Sequence, residues 1–545
     1  MSFKLFKDPI YGYVEIDSEI VRSIIDTACF QRLRNIRQTS YAPLYPASFH
    51  NRFIHSIGVY HLGRKVFDSV HNSLGSLEQT FPEELDNIKR LFELACLLHD
   101  VGHAPFSHTG ERFFLADAAN PPAIYAKLIA LVSDPDFSDD FDYYCNNGKV
   151  AAPHEIMSCI VALEVFKDHF RESSERAFFS RCITGFKYRH AKKANSDILN
   201  CFIELLNSPI IDVDRLDYII RDAKTTGFQS VSIDYERLLE GIRIIDNNGS
   251  KYLAYHKSAL SVIENVIYAH DTERKWIQNH PVILYEHFLL QHAMRNIDKY
   301  FALSESGSRF FSLDSLSRNG GDFGSKGKIS LLADEDILYI MKNVISDDLM
   351  DEYFFRGSRR HPLWKSEAEY RALFDNELGK NKLDEFEITF KEIEKYLIDY
   401  FSIPVINEKV FEHIEREERK IIEKKSTIPD RDYKNLMDGM KKIKKWVDCL
   451  SRIASKNDIL FDFVIISANK FKSGFLKQDL EKIRIVFPSL KLIPSIKDVS
   501  TILTSEKTRD SFFYLFYKSK DHDGKDKEVP VKAIAEALAA ELFIT

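Results

Sequence analysis

Apolar residues at helical spacing mark out most of the first 300 positions. In HNRFIHSIGVYHLGRKVFDSV, residues 50–70, Val59, Leu62, Val66 and Val70 recur every three or four positions, which predicts a helix with one buried stripe. His55 precedes Val59 by four residues and so points inward, on or near that stripe. In LFELACLLHDVGHAPFSH, Leu91, Leu94, Ala95 and Leu98 share a face. His99 and Asp100 follow at the helix's end, before Gly102 and Pro105 break it. A third segment, IDVDRLDYIIRDAKTTG, separates at about 100° per residue into an apolar side (Leu216, Ile219, Ile220, Ala223) and a polar side (Asp214, Tyr218, Asp222).

Outside the helices, KLFKDPIYGYVEI sets β-formers around Asp8-Pro9 and Tyr11-Gly12 and predicts a short N-terminal hairpin. SRNGGDFGSKGK lies in a polar, glycine-rich stretch that reads as a loop. The stretch 407–447 is densely charged, as solvated helix faces are. ILFDFVII, KIRIVF and FFYLFY have strand character, and VKAIAEALAAELF reads as a closing helix. The expected class is mainly α: a helical core, the hairpin and a small C-terminal α+β module. Four segments are expected: core 1–303, loop 304–328, helical extension of the core 329–375 and module 376–545.

A length of 545 residues exceeds what one hydrophobic core usually supports, so several units are expected. With 44% hydrophobic and 29% charged residues the chain is of ordinary globular composition. A net charge of −7 excludes a global attraction to nucleic acid or anionic lipid, so a polyanion needs a local basic cluster. Lys441, Lys442, Lys444 and Lys445 form one such run, although charge runs at helical spacing are usually solvated faces. Seven cysteines without a CxxC pair read as reduced thiols. With no apolar run of signal-peptide or membrane-span length, a cytoplasmic location is expected, with no membrane contact.

Taken alone, His55 reads as a hydrogen-bonded core histidine, and Tyr60, His61 and His71 read as structural. The joint pattern changes the reading for His55. Three helices that bring His, His-Asp and Asp together suit a divalent first-row metal, which polarises a phosphoryl oxygen and lowers the pKa of bound water.

The order H…HD…D resembles the HD phosphohydrolase superfamily. The series KDPIYGYVEID, DTACFQRLRNIRQTS, FHNRFIHSIGVYHLG, LLHDVGHAPFSHTGE, HEIMS and DVDRLDYIIRDAKTTG resembles its deoxynucleotide triphosphohydrolases, the bacterial dGTPases and the vertebrate SAM-and-HD-domain dNTPase. The similarity spans roughly residues 4–300 and extends more weakly to about 375. It implies an all-helical HD core and makes His55, His99, Asp100 and Asp214 the metal ligands, for Mn, Fe, Mg or Zn. It also implies a catalytic cluster of His103, His108, Glu111 and His154, with Glu111 where the vertebrate type has Asp. The implied substrate-binding set is Gln38, Arg52, Arg215, Tyr218, Asp222 and Tyr285. Within it Arg52 contacts phosphate, Tyr218 packs on the deoxyribose, Gln38 lies near the 3′-hydroxyl, and Arg215 stands where the vertebrate type has Lys. Asp26, Gln31 and Arg34 match positions that bind an activating nucleotide at a subunit interface.

The function implied is hydrolysis of a dNTP to deoxynucleoside and inorganic triphosphate by a homo-oligomer, open to a dNTP or GTP activator. The competing readings are another HD nucleotide phosphohydrolase or phosphodiesterase, and a dNTP-sensing defence protein whose C-terminal module engages nucleic acid or a partner protein.

Overall fold

The computed structural model describes residues 2–74, 82–115, 123–189, 195–228, 232–247, 249–302, 310–317, 321–322, 328–343, 347–423, 425, 430–468, 473–474, 478–500, 512–518 and 530–543. The chain resolves into two compact units that are interleaved in sequence. The first comprises Met1–Arg274, Ala293–Ile345 and Lys472–Lys507; the second comprises Lys275–His292, Ser346–Phe471 and Thr508–Thr545. Neither follows a continuous stretch such as 1–303 or 376–545. Residues 346–375, expected as an extension of the core, belong to the second unit, and 472–507 belong to the first. Only part of the glycine-rich stretch 304–328 is described. Phe310 and Phe311 are buried there, and Gly321-Asp322 pairs with Lys328-Ile329.

The first unit is mainly helical. Its chain opens with the antiparallel hairpin β1 (Phe3–Asp8) and β2 (Gly12–Asp17). Asp8 closes the turn by accepting from the backbone N–H groups of Ile10 and Tyr11, and Gly12 supplies the positive φ of +80°. Val14 and Ile16 point into the core. Helices α1 (Arg52–Leu74) and α2 (Pro82–Leu98) bury the stripes read from the sequence, since Val59, Leu62, Val66, Val70, Ala95 and Leu98 are all fully buried. The short helix α3 (Glu111–Phe114) follows the HD turn, and α4 (Pro153–Val165) brings in His154. Helix α5 (Val213–Thr226) starts at Asp212, whose carboxylate accepts from the Arg215 N–H, and ends at Gly227 in the left-handed region.

One element escaped the sequence reading. Strands β3 (Ile242–Asn247) and β4 (Ser250–His256) pair antiparallel, and Arg484–Val486, from KIRIVF, joins β4 in parallel. The Asn-Gly step before Ser250 was the available signal, with Gly249 at φ +86°.

The second unit has its own core. Strands Asp462–Ser467 and Phe513–Tyr517, from ILFDFVII and FFYLFY, pair antiparallel. Val405–Asn407 flanks the first and His361-Pro362 the second, which gives a four-stranded sheet. The helices Glu367–Phe401, Asp430–Asn457 and Val531–Phe543 supply apolar faces such as Phe390, Trp446, Leu450 and Leu538 to the same core. Within the charged run, Lys444 bonds Glu418 at 2.8 Å across two helices, and Lys442 lies 3.9 Å from Glu392. Among the described residues no helix is long and apolar enough to cross a membrane.

Candidate metal centre and adjoining histidine cluster

Helix α1 places His55 at a fully buried position, and the end of α2 brings His99 against it with the two Nε2 atoms 3.2 Å apart. Asp214 in the first turn of α5 puts Oδ1 3.0 Å from His55 Nε2 and 3.5 Å from His99 Nε2. Asp100 Oδ2 completes the group at 3.6 Å from His55 Nε2 and 3.5 Å from His99 Nε2. The far side of each ring is already committed. His55 Nδ1 lies 2.7 Å from Asp217 Oδ2, and His99 Nδ1 lies 2.9 Å from the Cys96 carbonyl. Each Nδ1 therefore carries a hydrogen, which leaves each Nε2 as the nitrogen that could offer a lone pair to a shared cation.

The His55, His99 and Asp100 ligand atoms, with Asp214 Oδ1 beside both imidazoles, form a group that could hold a metal ion. The ligand-to-ligand separations, 3.0 to 3.6 Å, lie at or slightly beyond the ~3.0–3.4 Å edges that metal bonds of about 2.1 Å produce at right or tetrahedral angles. Without a metal, a proton on His55 takes the cation's place. Burial lowers its pKa, but Asp214 and Asp217 outweigh burial and lift it to about 9. Burial alone would raise Asp100; instead the Arg52 guanidinium and the two imidazoles hold it at about 2. A divalent ion here would displace a proton from His55.

Asp100 also faces a second cluster, since its Oδ1 lies 3.6 Å from His103 Nε2. Glu111 Oε1 gathers three rings: His108 Nδ1 at 2.7 Å, His154 Nδ1 at 3.2 Å and His103 Nδ1 at 3.6 Å. The His103 and His154 rings stack with centroids 4.5 Å apart. Burial favours a protonated Glu111, but the charges of His154 and His108 hold it well below the usual carboxylate range. His154 is lowered by burial and raised more strongly by Glu111, to about 9. His103 goes the other way: burial first, then the positive charge of Arg52 and His154, pushes it well below its ordinary value. The cluster thus holds one neutral and one protonated imidazole beside a carboxylate, while His108 has a side chain 66% exposed.

The substrate-binding candidates divide. Arg52 is buried and donates to Asp100 Oδ2 at 2.7 Å and to Ser107 Oγ at 2.9 Å. Arg215 Nε donates to the Tyr218 hydroxyl at 3.3 Å. Among the described residues, Arg215 Nη1 and Gln38 Oε1 are buried without a hydrogen-bond partner, as groups kept for a ligand would be. Asp222 lies 2.7 Å from His50 Nε2. Tyr285 belongs to the second unit, where it is a core residue whose hydroxyl donates to Glu352 at 2.7 Å. Gln31 donates to the Ile25 carbonyl and accepts from Arg34, next to Asp26, which sits 3.7 Å from Lys4. Asp26 also lines a cavity of about 760 Å³ with Cys29, Leu163, Lys167 and Asp314.

Sequence reasoning passed over Asp217 and Arg221. Asp217 falls between the two faces assigned to α5, yet it is fully buried and accepts from Arg221 Nε at 2.9 Å and Nη2 at 2.8 Å. Its i, i+3 spacing from Asp214 and i, i+4 spacing to Arg221 were the signal.

A helical site of His, His-Asp and Asp is that of an HD domain, and residues 52–129 match the HD domain family. The chain is 28% identical over 271 residues to Uncharacterized protein MG461 of Mycoplasma genitalium, covering 49% of this chain and 54% of that protein. It is 28% identical over 339 residues to Deoxynucleoside triphosphate triphosphohydrolase SAMHD1 of Danio rerio, covering 62% and 51%. The matched region spans about half the length of these curated relatives. A crystal structure of a hypothetical protein from Aquifex aeolicus shares the fold, with a TM-score of 0.52, 18% identity and coverage of 99% of this chain and all of that one. Residues 52–129 thus carry the HD-domain pattern, and over about half its length the chain is similar to SAMHD1-type triphosphohydrolases.

Proposed function

We propose that the protein is a metal-dependent dNTP triphosphohydrolase that converts a dNTP and water to deoxynucleoside and inorganic triphosphate. The observation that supports this reading is the pairing of the buried His55, His99 and Asp100 group, with Asp214 beside both imidazoles, and a histidine cluster gathered on Glu111, the two joined through Asp100. A divalent ion, Mn, Fe, Mg or Zn, held by those four residues would supply Lewis acidity toward the α-phosphate and acidify a bound water.

The chain's own residues do the rest. Arg52 orients Asp100, and its guanidinium adds positive charge where phosphate oxygens would lie. Arg215 and Gln38 offer their unpartnered groups to phosphate and sugar, and Tyr218 packs against the deoxyribose. His108, steered by Glu111 through Nδ1, presents Nε2 to the open side and protonates the leaving 5′-oxygen. His103 and His154 brace Glu111. Asp26, Gln31 and Arg34 form an effector site for a dNTP or GTP in a homo-oligomer; loss of nucleotide activation in Asp26→Ala with basal turnover intact supports this, and unchanged activation removes it.

The test is incubation of the full chain with each dNTP, singly and mixed, with Mg, Mn or Fe, and chromatographic separation of products. Deoxynucleoside plus triphosphate, absent from Asp100→Ala, is the expected outcome. Release of monophosphate or diphosphate instead refutes the reaction assigned and favours another HD phosphohydrolase chemistry; tight dNTP binding without turnover under any metal favours a sensor. A His108→Ala enzyme with wild-type turnover overturns the general-acid role.

A further inference from the structure

Asp8, in the hairpin at the start of the chain, lies more than 200 positions from α5, yet a continuous set of buried contacts joins them. His55 Nδ1 donates to Asp217 Oδ2, and both Asp217 oxygens are gripped by Arg221, Nε at 2.9 Å and Nη2 at 2.8 Å. The third guanidinium nitrogen, Nη1, lies 3.1 Å from Asp8 Oδ2. The other Asp8 oxygen accepts from Ile10 N at 2.7 Å and Tyr11 N at 3.0 Å, so the hairpin turn itself aims Oδ2 at Arg221. The side chains of His55, Asp217, Arg221 and Asp8 are at most 2% exposed. In that environment a charge keeps its geometry only while its partners hold it.

We infer that Asp8 is a positioning residue of the metal centre, fixing the ring and tautomer of His55 through Arg221 and Asp217, so that the N-terminal hairpin is a working part of the site. The inference rests on the metal-centre reading above. Two carboxylates on one guanidinium leave a net negative charge beside His55 Nδ1, which keeps the hydrogen on that nitrogen and the lone pair on Nε2. Without Asp8, Arg221 loses one of its two anchors, and the orientation of Asp217, and hence of the imidazole, loosens. Gly58 on α1 serves the same relay: a Cβ there would overlap Asp217 Oδ1 and Arg221 Nη2.

The experiment is Mn²⁺ titration calorimetry on the full chain, with the Co²⁺ absorption spectrum and thermal melting recorded alongside. Asp8→Asn keeps an oxygen for the turn and removes the charge facing Arg221. It should weaken Mn²⁺ binding by about tenfold, the lower end for an outer-shell partner, and shift the Co²⁺ bands. Asp8→Glu should restore most of the affinity. Lys224→Met is the control, since Lys224 ties the hairpin through the Pro9 carbonyl without touching the relay; its affinity should equal that of the wild type. Wild-type affinity in Asp8→Asn, or an equal loss in Lys224→Met, overturns the inference. If Asp8→Asn does not fold, Arg221→Lys takes its place, with the same loss expected and wild-type affinity again overturning it. A wild-type chain that binds neither ion refutes the metal-centre reading itself, which separates the two failures.

Discussion

Replacing Gly58 by alanine adds one methyl group in the middle of α1. On helix propensity alone the change stabilises, by about 0.5–1 kcal/mol, because glycine loses the most backbone freedom on folding. The structure reverses the sign. The new Cβ would overlap Asp217 Oδ1 and Arg221 Nη2, both held in a fully buried ion pair that cannot swing aside into solvent. Overpacking costs about 1–3 kcal/mol and opening a buried pair about 3–5, so after the helix gain a net loss of about 1–4 kcal/mol is expected. All three tryptophans, Trp276, Trp364 and Trp446, lie in the second unit, so amide exchange of α1 against denaturant is the appropriate assay. Gly439→Ala, in the second unit, is the control for helix propensity alone, because a Cβ there meets nothing within 4 Å; read by the second unit's tryptophan fluorescence, it should stabilise by about 0.5–1 kcal/mol. A Gly58→Ala protein as stable as the wild type refutes the close-packed relay.

Three further outcomes follow from the site. Because His154 is lifted to about 9 by Glu111 against burial, its contribution to stability is complete below its unfolded value of about 6.5 and is lost as pH rises through about 9. Glu111→Gln should abolish that loss between about pH 6.5 and 9 in first-unit melting, because burial alone lowers the His154 pKa; an unchanged profile contradicts the pairing. In the wild type, Mn²⁺ at a hundredfold excess over its Kd should stabilise by about 2.7 kcal/mol, an effect reversed by a chelator. Asp214→Asn should abolish that metal-induced rise in Tm; if the rise persists, Asp214 is not a ligand.

Much of the site was legible because its residues sit on periodic helices. His55 and His99 fall on or beside the stripes of α1 and α2, and Asp214 opens the polar side of α5, so spacing by itself fixed the inward direction of both imidazoles. The Asp8-Pro9 turn and the helical character of 407–447 were readable for the same local reason. Asp217 was lost because two-face sorting treats a helix as half buried, whereas α5 is enclosed on nearly every side and buries Asp217 and Asp222 as well as Leu216. Tyr285 matched a motif, yet its hydroxyl is spent on Glu352.

The sequence by itself determined the helices, the hairpin and the set of metal-ligand candidates, because periodicity and turn chemistry act over a few residues. Tertiary structure alone decided which ring nitrogens carry hydrogen, that Asp8 reaches the α5 ion pair, and that 472–507 folds with the first unit. Each of those depends on groups far apart in the chain meeting where water is excluded, and no local pattern encodes that meeting.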